Sequence, residues 1–292
     1  MTTGKSMSDP RTDAELLDSV RSRDDREALT ELLERHQAAI WRFGMRMCRD
    51  VEDAKDVLQE TMLAVARTAG DFRGSSSVPT WLFAIARSFC IKKRRRSKFA
   101  PDEVVNLDDV SANGSGIRSD GPSPDEIASN RELAAVLERA IEDLEPDQRE
   151  VLLLRDVEGL SAPEVGKVLG VSIQAVKSRL HRARVALREK LSPPQGDLDL
   201  MNKHEGCPDI VPVFSRFVEG EIGADECAQM QKHIDTCPPC RIACDTLKST
   251  LSLCRAKARG GTVPPEVQQV VRDALREIGR VTGADRDVTT GR

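Results

Sequence analysis

The chain has 292 residues, more than one ordinary core holds, so two or three domains are expected. Charged residues make up 32%, no stretch approaches the ~18 consecutive apolar residues of a spanning helix, and Met1–Pro10 lacks the apolar core of a secretory signal, so a cytoplasmic protein without membrane contact is expected. Aromatics are 3% with no Tyr, and no run alternates with period two, which argues against all-β folds and long parallel sheets in favour of an all-α chain.

Residues 1–12 read as a leader. From Asp13 to about Arg96 the pattern is helical. Leu29, Leu32, Leu33, His36, Ile40, Phe43 and Met47 form one apolar stripe at 3–4 residue spacing. A second helix is predicted from Val51 to Ala69, with Ala54, Val57, Leu58, Met62 and Val65 inward and an acidic stripe of Glu52, Asp53, Asp56 and Glu60 outward. A Gly/Ser break follows (Gly70, then Arg73–Ser77). Pro79 stands where a first-turn proline fits, and the next helix runs through Trp81, Leu82, Ile85, Ala86 and Phe89 into Lys92–Arg96. Trp81 and Phe83 are read as core aromatics rather than stacking platforms. Residues 98–128 are rich in Pro, Gly, Ser and Asp and read as a linker. Helical periodicity resumes over 129–192, a short linker follows, and 204–258 forms a cysteine-rich helical unit. Within 262–292, Pro265–Val281 suggests a last amphipathic helix with Val267, Val271, Ala274, Ile278 and Val281 aligned.

The net charge of −4 hides segregation. Arg87–Lys98 holds seven Lys/Arg and no acid, Pro101–Glu126 seven Asp/Glu and one Arg, and Lys177–Lys190 six Lys/Arg against one Glu. Two basic blocks separated by an acidic one suggest two contact points on a polyanion.

The sharpest local signal lies at Leu160–Lys177. Ser161 can cap a helix with Pro163 and Glu164 in its first turn, Gly170 suits a left-handed turn, and Ser172 can cap a second helix. Val165, Leu169, Val171, Val176 and Leu180 would pack the angle between them. On the second helix Val176, Leu180, Ala183 and Leu187 face inward, leaving Gln174, Lys177, Ser178, His181 and Arg182 outside. This is the layout of a DNA-binding helix-turn-helix, in which Gln and Arg read base edges while Lys and Ser hold phosphates.

Six of the eight cysteines fall between Cys207 and Cys254. In a cytosolic chain this points to metal or redox chemistry before structural disulfides. His233-x3-Cys237-x2-Cys240 is a metal-ligand spacing suited to tetrahedral zinc, with Cys207 as the fourth ligand and His204 as its alternative. Cys227, Cys244 and Cys254 are left over. These spare thiols could take a second metal or form a disulfide.

Several of these segments resemble one family. Asp53–Thr61 (DAKDVLQET) resembles the core-binding helix of bacterial sigma factors. Phe72–Ser76 (FRGSS) with Thr80–Arg87 (TWLFAIAR) resembles the segment that opens and reads the −10 promoter element, and Leu144–Leu191 resembles the −35-reading domain. Together, over residues 13–192, they resemble the extracytoplasmic-function class of the sigma-70 family. Met62, Pro79, Ser88 and Ile173-Gln174-Ala175 depart from the family's usual residues. Residues 204–256 resemble the zinc-binding anti-sigma domain, here fused in cis.

The resemblance implies that Asp53, Asp56, Gln59 and Glu60 contact a coiled coil on the largest subunit of core RNA polymerase. It implies that Arg73, Ser75, Arg87, Lys92, Lys93, Arg94, Arg95 and Arg96 contact −10 DNA, and that Ser172, Gln174, Lys177, Ser178, His181 and Arg182 contact the −35 element. It implies a connector in which Asp102, Glu103, Asp108 and Asp109 mimic RNA. It also implies a metal-responsive tail with zinc as cofactor and copper or cadmium as a signal, on a protein monomeric outside the holoenzyme. A metal-responsive helix-turn-helix regulator that does not bind core polymerase is the alternative. It leaves the acidic helix and opening segment of 50–96 unexplained. A thiol-disulfide enzyme built on Cys237-Pro238-Pro239-Cys240 would need a βαβ setting that the helical pattern denies. With no Ser/His/Asp set, P-loop or paired-carboxylate site, no enzymatic activity is expected.

Overall fold

The computed structural model describes residues 11–23, 25–48, 50–97, 135–191 and 207–260, with short pieces at 263–265, 267–269 and 272–273. Among the described residues all regular structure is helical. The connector acids Asp102, Glu103, Asp108 and Asp109, His204, and most of the predicted 265–281 helix lie outside them. The described residues divide into two compact units, and the division falls within the helix-turn-helix: those of 11–93, of 158–175 and from 258 onward form one, and those of 94–97, 135–157, 176–191 and 207–257 the other.

In the first unit α1 (Asp13–Arg23) starts where Thr12 donates both its N–H and hydroxyl to Glu15. α2 (Arg26–Cys48) follows Asp25, whose carboxylate accepts the Ala28 N–H. α3 (Val51–Thr68) is capped by Asp50, which accepts the Asp53 N–H at 2.7 Å. Each cap satisfies a donor that the first helical turn leaves unpaired. α4 (Val78–Ser97) carries Pro79 in its first turn. The predicted stripes are buried at Leu32, Leu33, Ile40, Phe43 and Met47 on α2, and at Ala54, Val57, Leu58, Met62 and Val65 on α3, whereas Leu29 is half-buried and Ala28 beside it is buried. His36, placed on the same stripe by its spacing, is half-buried and meets the Asp13 carboxylate at 2.7 Å. Phe83 packs edge-on against Phe43 with ring centroids 5.5 Å apart, while Trp81 lies on Phe72 at 4.7 Å. The two cysteines isolated in sequence, Cys48 and Cys90, bring their sulfurs to 3.7 Å.

In the second unit residues 135–142 are helical (α5), followed by α6 (Pro146–Leu152), a π-helical turn at Leu153–Val157, and α8 (Ile173–Leu191) beyond α7 (Ala162–Leu169) of the first unit. Arg149 is buried and closes the end of α5, donating to the carbonyls of Ile141 (3.0 Å), Leu144 (2.9 Å) and Glu142. Asp156 and Arg184, both buried, form a two-pronged ion pair at 2.9 and 2.6 Å. The cysteine-rich tail adds α9 (Ile210–Val218), α10 (Ala224–Thr236) and α11 (Pro238–Gly260). Its core of Ile210, Val211, Phe214, Ile234, Leu247 and Leu251 includes Cys237, Cys240 and Cys244, and Val185 of α8 packs against it.

Candidate nucleic-acid interface and metal centre

α3 presents Asp53, Asp56, Gln59 and Glu60 opposite its buried stripe, all exposed or half-buried. Lys93 of α4 reaches back to this face, 3.1 Å from Asp53 and hydrogen-bonded to Asp56. Partial burial depresses the Lys93 ammonium, but the two carboxylates outweigh it and hold its pKa above the usual value. A cation expected on DNA is therefore tied to two acids expected on polymerase. Lys92 and Arg95 are exposed and Arg87 is half-buried; Arg94 pairs with Glu150 at 3.2 Å. The side chain of Arg96 lies outside the described residues.

The break between α3 and α4 places Arg73 and Ser75 on the surface, with Gly74 at φ +72 making the turn. Loop and α1 together border a cleft lined by Asp13, Leu17, Arg21, Phe72 and Val78. The Ser75 carbonyl accepts from Lys167 at 3.2 Å, and Ser77 and Thr80 donate to Glu164 at 2.5 and 3.2 Å. Glu164 also accepts the Ser161 N–H (2.9 Å) and hydroxyl (2.7 Å), completing the capping box of α7. Burial alone would raise the Glu164 carboxyl; the Ser77, Ser161 and Thr80 donors prevail and hold it at about 2.

α7 ends at Gly170, which is left-handed (φ 67, ψ 36), and the Ser172 hydroxyl accepts the Ala175 N–H at 3.2 Å to start α8. Helix, left-handed glycine, capped helix is the local sequence of a helix-turn-helix. Val176, Leu180, Ala183 and Leu187 are buried. Ser172, Gln174, Ser178 and Arg182 are exposed, and Lys177 and His181 half-buried. Val171, expected to pack the angle, is half-buried, and Ile173 is an exposed apolar residue. Sequence reasoning missed Arg155 and Arg184 within this region. Arg184 follows Leu180 by four residues on the inner side of α8, and Asp156 interrupts the apolar run 151–157. Those two local oddities are the signal of the pair.

Cys207, His233, Cys237 and Cys240 bring one ligand atom each into a cluster spanning at most 4.8 Å. Cys207 comes just before α9, His233 from the last turn of α10, and Cys237 and Cys240 from the α10–α11 corner. The Cys207 and Cys237 sulfurs lie 3.7 Å apart, close to the ~3.8 Å edge of a tetrahedron with Zn–S bonds of ~2.3 Å, and His233 Nε2 lies 3.2 Å from the Cys240 sulfur. The Cys240 N–H lowers the Cys237 thiol, while burial, with Cys207 and Cys237 beside it, pushes the Cys240 thiol up to about 12. Crowded thiols of this kind are costly to ionise without a cation among them. Three sulfurs and one imidazole at this spacing fit zinc.

Residues 32–99 match the model of sigma-70 region 2, 134–187 that of sigma-70 region 4, and 207–241 that of a putative zinc-finger. The RNA polymerase sigma-H factor of Pseudomonas aeruginosa is 32% identical over 186 residues, covering 62% of this chain and 94% of that protein. The chain belongs to the extracytoplasmic-function RNA polymerase sigma factors. The ECF RNA polymerase sigma factor SigM of Mycobacterium tuberculosis is 35% identical over 181 residues, 62% of this chain and 85% of that protein. A solved structure of CnrH in complex with the cytosolic domain of CnrY aligns at 27% identity and TM-score 0.45, covering 61% of this chain and 96% of that one. This sigma factor is thus a DNA-binding transcription-initiation factor whose regions 2 and 4 point to RNA polymerase and promoter DNA. No helix among the described residues is long and apolar enough to cross a membrane.

Proposed function

We propose that residues 13–97 dock this sigma factor on core polymerase through Asp53, Asp56, Gln59 and Glu60 and hold −10 DNA through Arg73, Ser75, Arg87 and the Lys92–Arg96 run. Residues 129–192 hold the −35 element through Ser172, Gln174, Lys177, Ser178, His181 and Arg182. Residues 204–258 gate these contacts in response to metal or redox state. The protein acts in the cytoplasm, as a monomer outside the holoenzyme, and has no catalytic step of its own.

The observation that carries the gating is the convergence of Cys207, His233, Cys237 and Cys240 within 4.8 Å in a tail whose core has Val185 of α8 packed against it. These residues would hold zinc, which supplies a structural cross-link. The chain's own part is to bring the start of α9, the end of α10 and the start of α11 to one point. Cys227 and Cys244, which line an apolar cavity of the tail, are spare thiols for a copper, cadmium or oxidant signal.

The test is run-off transcription with core polymerase, comparing the full chain, Cys237→Ser/Cys240→Ser and a chain ending at Leu191, each with zinc, copper or oxidant. Signal-dependent output from the full chain and signal-independent output from the other two support gating. Equal responses from all three reduce the centre to structural zinc. Failure of every form to bind core polymerase in a pull-down removes the docking assignment.

A further inference from the structure

The corner between α9 and α10 carries a carboxylate on each side of a glycine. Glu219 and Glu221 flank Gly220, whose φ of +70 suits a residue without a Cβ. The Glu219 carboxylate accepts from Arg155 Nε at 3.1 Å and Nη2 at 2.7 Å, and sits 3.8 Å from Arg184. Glu221 accepts from Lys177 at 2.5 Å. The two contacts differ in kind. Glu219, Arg155 and Arg184 are 9%, 15% and 2% exposed, a desolvated, two-pronged anchor. Glu221 and Lys177 are 40% and 35% exposed, a weak pair in itself, placed by its anchored neighbour.

Guanidinium and ammonium groups donate the same hydrogen bonds to carboxylate and to phosphate oxygens. Lys177 is a residue assigned above to DNA, and this inference rests on that assignment. We propose that Glu219-Gly220-Glu221 is an internal phosphate mimic: docked on Arg155 and Arg184, it occupies Lys177 and keeps duplex phosphates off the outer face of α8. The partner of this acidic corner is therefore the basic face of the same chain, and DNA competes for it. The corner lies between Cys207 and His233 in sequence, so the residues of the thiol–imidazole cluster bracket it. A lysine held by a carboxylate releases no counterion on DNA, whereas a freed one adds about 0.9 to the salt slope of binding.

The test measures fluorescence anisotropy of a labelled duplex of random sequence titrated with the zinc-loaded full chain at several salt concentrations. Glu221→Gln should tighten binding about threefold, and Glu219→Gln/Glu221→Gln about tenfold, with a slope steeper by about 1. Asp225→Asn, the same charge change at an exposed site four residues on, should shift affinity less than twofold. Adding Lys177→Gln to the double variant should abolish both the gain and the extra slope. Loss of Glu219 can unfold the tail, so bound zinc is measured alongside; if zinc falls, Glu221→Gln against Asp225→Asn decides alone. Equal affinities for Glu221→Gln and Asp225→Asn overturn the mimic. If Lys177→Gln nevertheless weakens binding of the wild-type chain, the DNA assignment of α8 stands without it. If Lys177→Gln changes nothing in any background, that assignment falls as well.

Discussion

Residues 13–97 and residues 207–260 are both small helical assemblies, yet their interiors are built differently. The first buries Leu16, Leu32, Leu33, Ile40, Phe43, Met47, Leu58, Met62 and Leu82 almost completely. The second has Phe214 as the one aromatic of its core cluster, leaves Phe217 half in solvent, and fills much of the rest with Cys237, Cys240, Cys244 and Ala243. A unit that short buries too little apolar area to offset chain entropy by itself. The contrast shows where each fold is vulnerable: one to the loss of a methylene, the other to the loss of a ligand.

The largest effect should come from Cys237→Ser/Cys240→Ser. Structural zinc contributes on the order of 10 kcal/mol in small domains, so hydrogen-exchange protection over 210–251 should collapse while that over 28–65 is unchanged. Chelation of the wild-type chain should reproduce the pattern, and loss of protection in both regions would break the comparison. Phe43→Ala should cost about 3–5 kcal/mol in urea denaturation of the N-terminal helices, without altering the metal content of the tail. Asp156→Ala should cost about 3 kcal/mol, because it leaves Arg184 charged and buried; an Asp156→Ala/Arg184→Leu pair should recover part of that loss.

The smallest effect is on acid stability. Glu164 is held at about 2 in the fold, below its ordinary value near 4.5. A depressed carboxyl stabilises fully above the unfolded value and loses that contribution as pH falls through the folded one. The stability gap between wild type and Glu164→Gln should therefore be full above about pH 4.5 and close toward pH 2. A gap that stays constant over that window would detach Glu164 from the Ser77 and Thr80 hydroxyls.

What could be read from the sequence was local. The stripes of α2 and α3, the Ser161 cap, the Gly170 turn and the His233–Cys240 spacing each lie within one or two helical turns, where periodicity and capping chemistry speak directly. A fourth donor was required, and the sequence offered Cys207 with His204 as its alternative; the structure brings the Cys207 sulfur into the cluster. What could not be read were pairings over long separations. Lys93 with Asp53 and Asp56, Arg155 with Glu219, Lys177 with Glu221 and Cys48 with Cys90 each join residues 37 or more apart. No propensity records such a meeting. Read singly, Lys93 and Lys177 look like cations waiting for phosphate, and only tertiary structure shows that each already has an acid.

Leu191 and Cys207 are separated by residues 192–206 alone, so the acidic corner and the helix it covers belong to one molecule. A mask tethered this closely meets its target at an effective concentration on the order of millimolar, whatever the abundance of the protein. Raising synthesis multiplies mask and target together, and growth cannot dilute one away from the other. Such a factor is deaf to stoichiometry. Release then falls to duplex competing for Lys177 or to a covalent or coordination change within the tail, and under the proposed gating every copy is an independent detector.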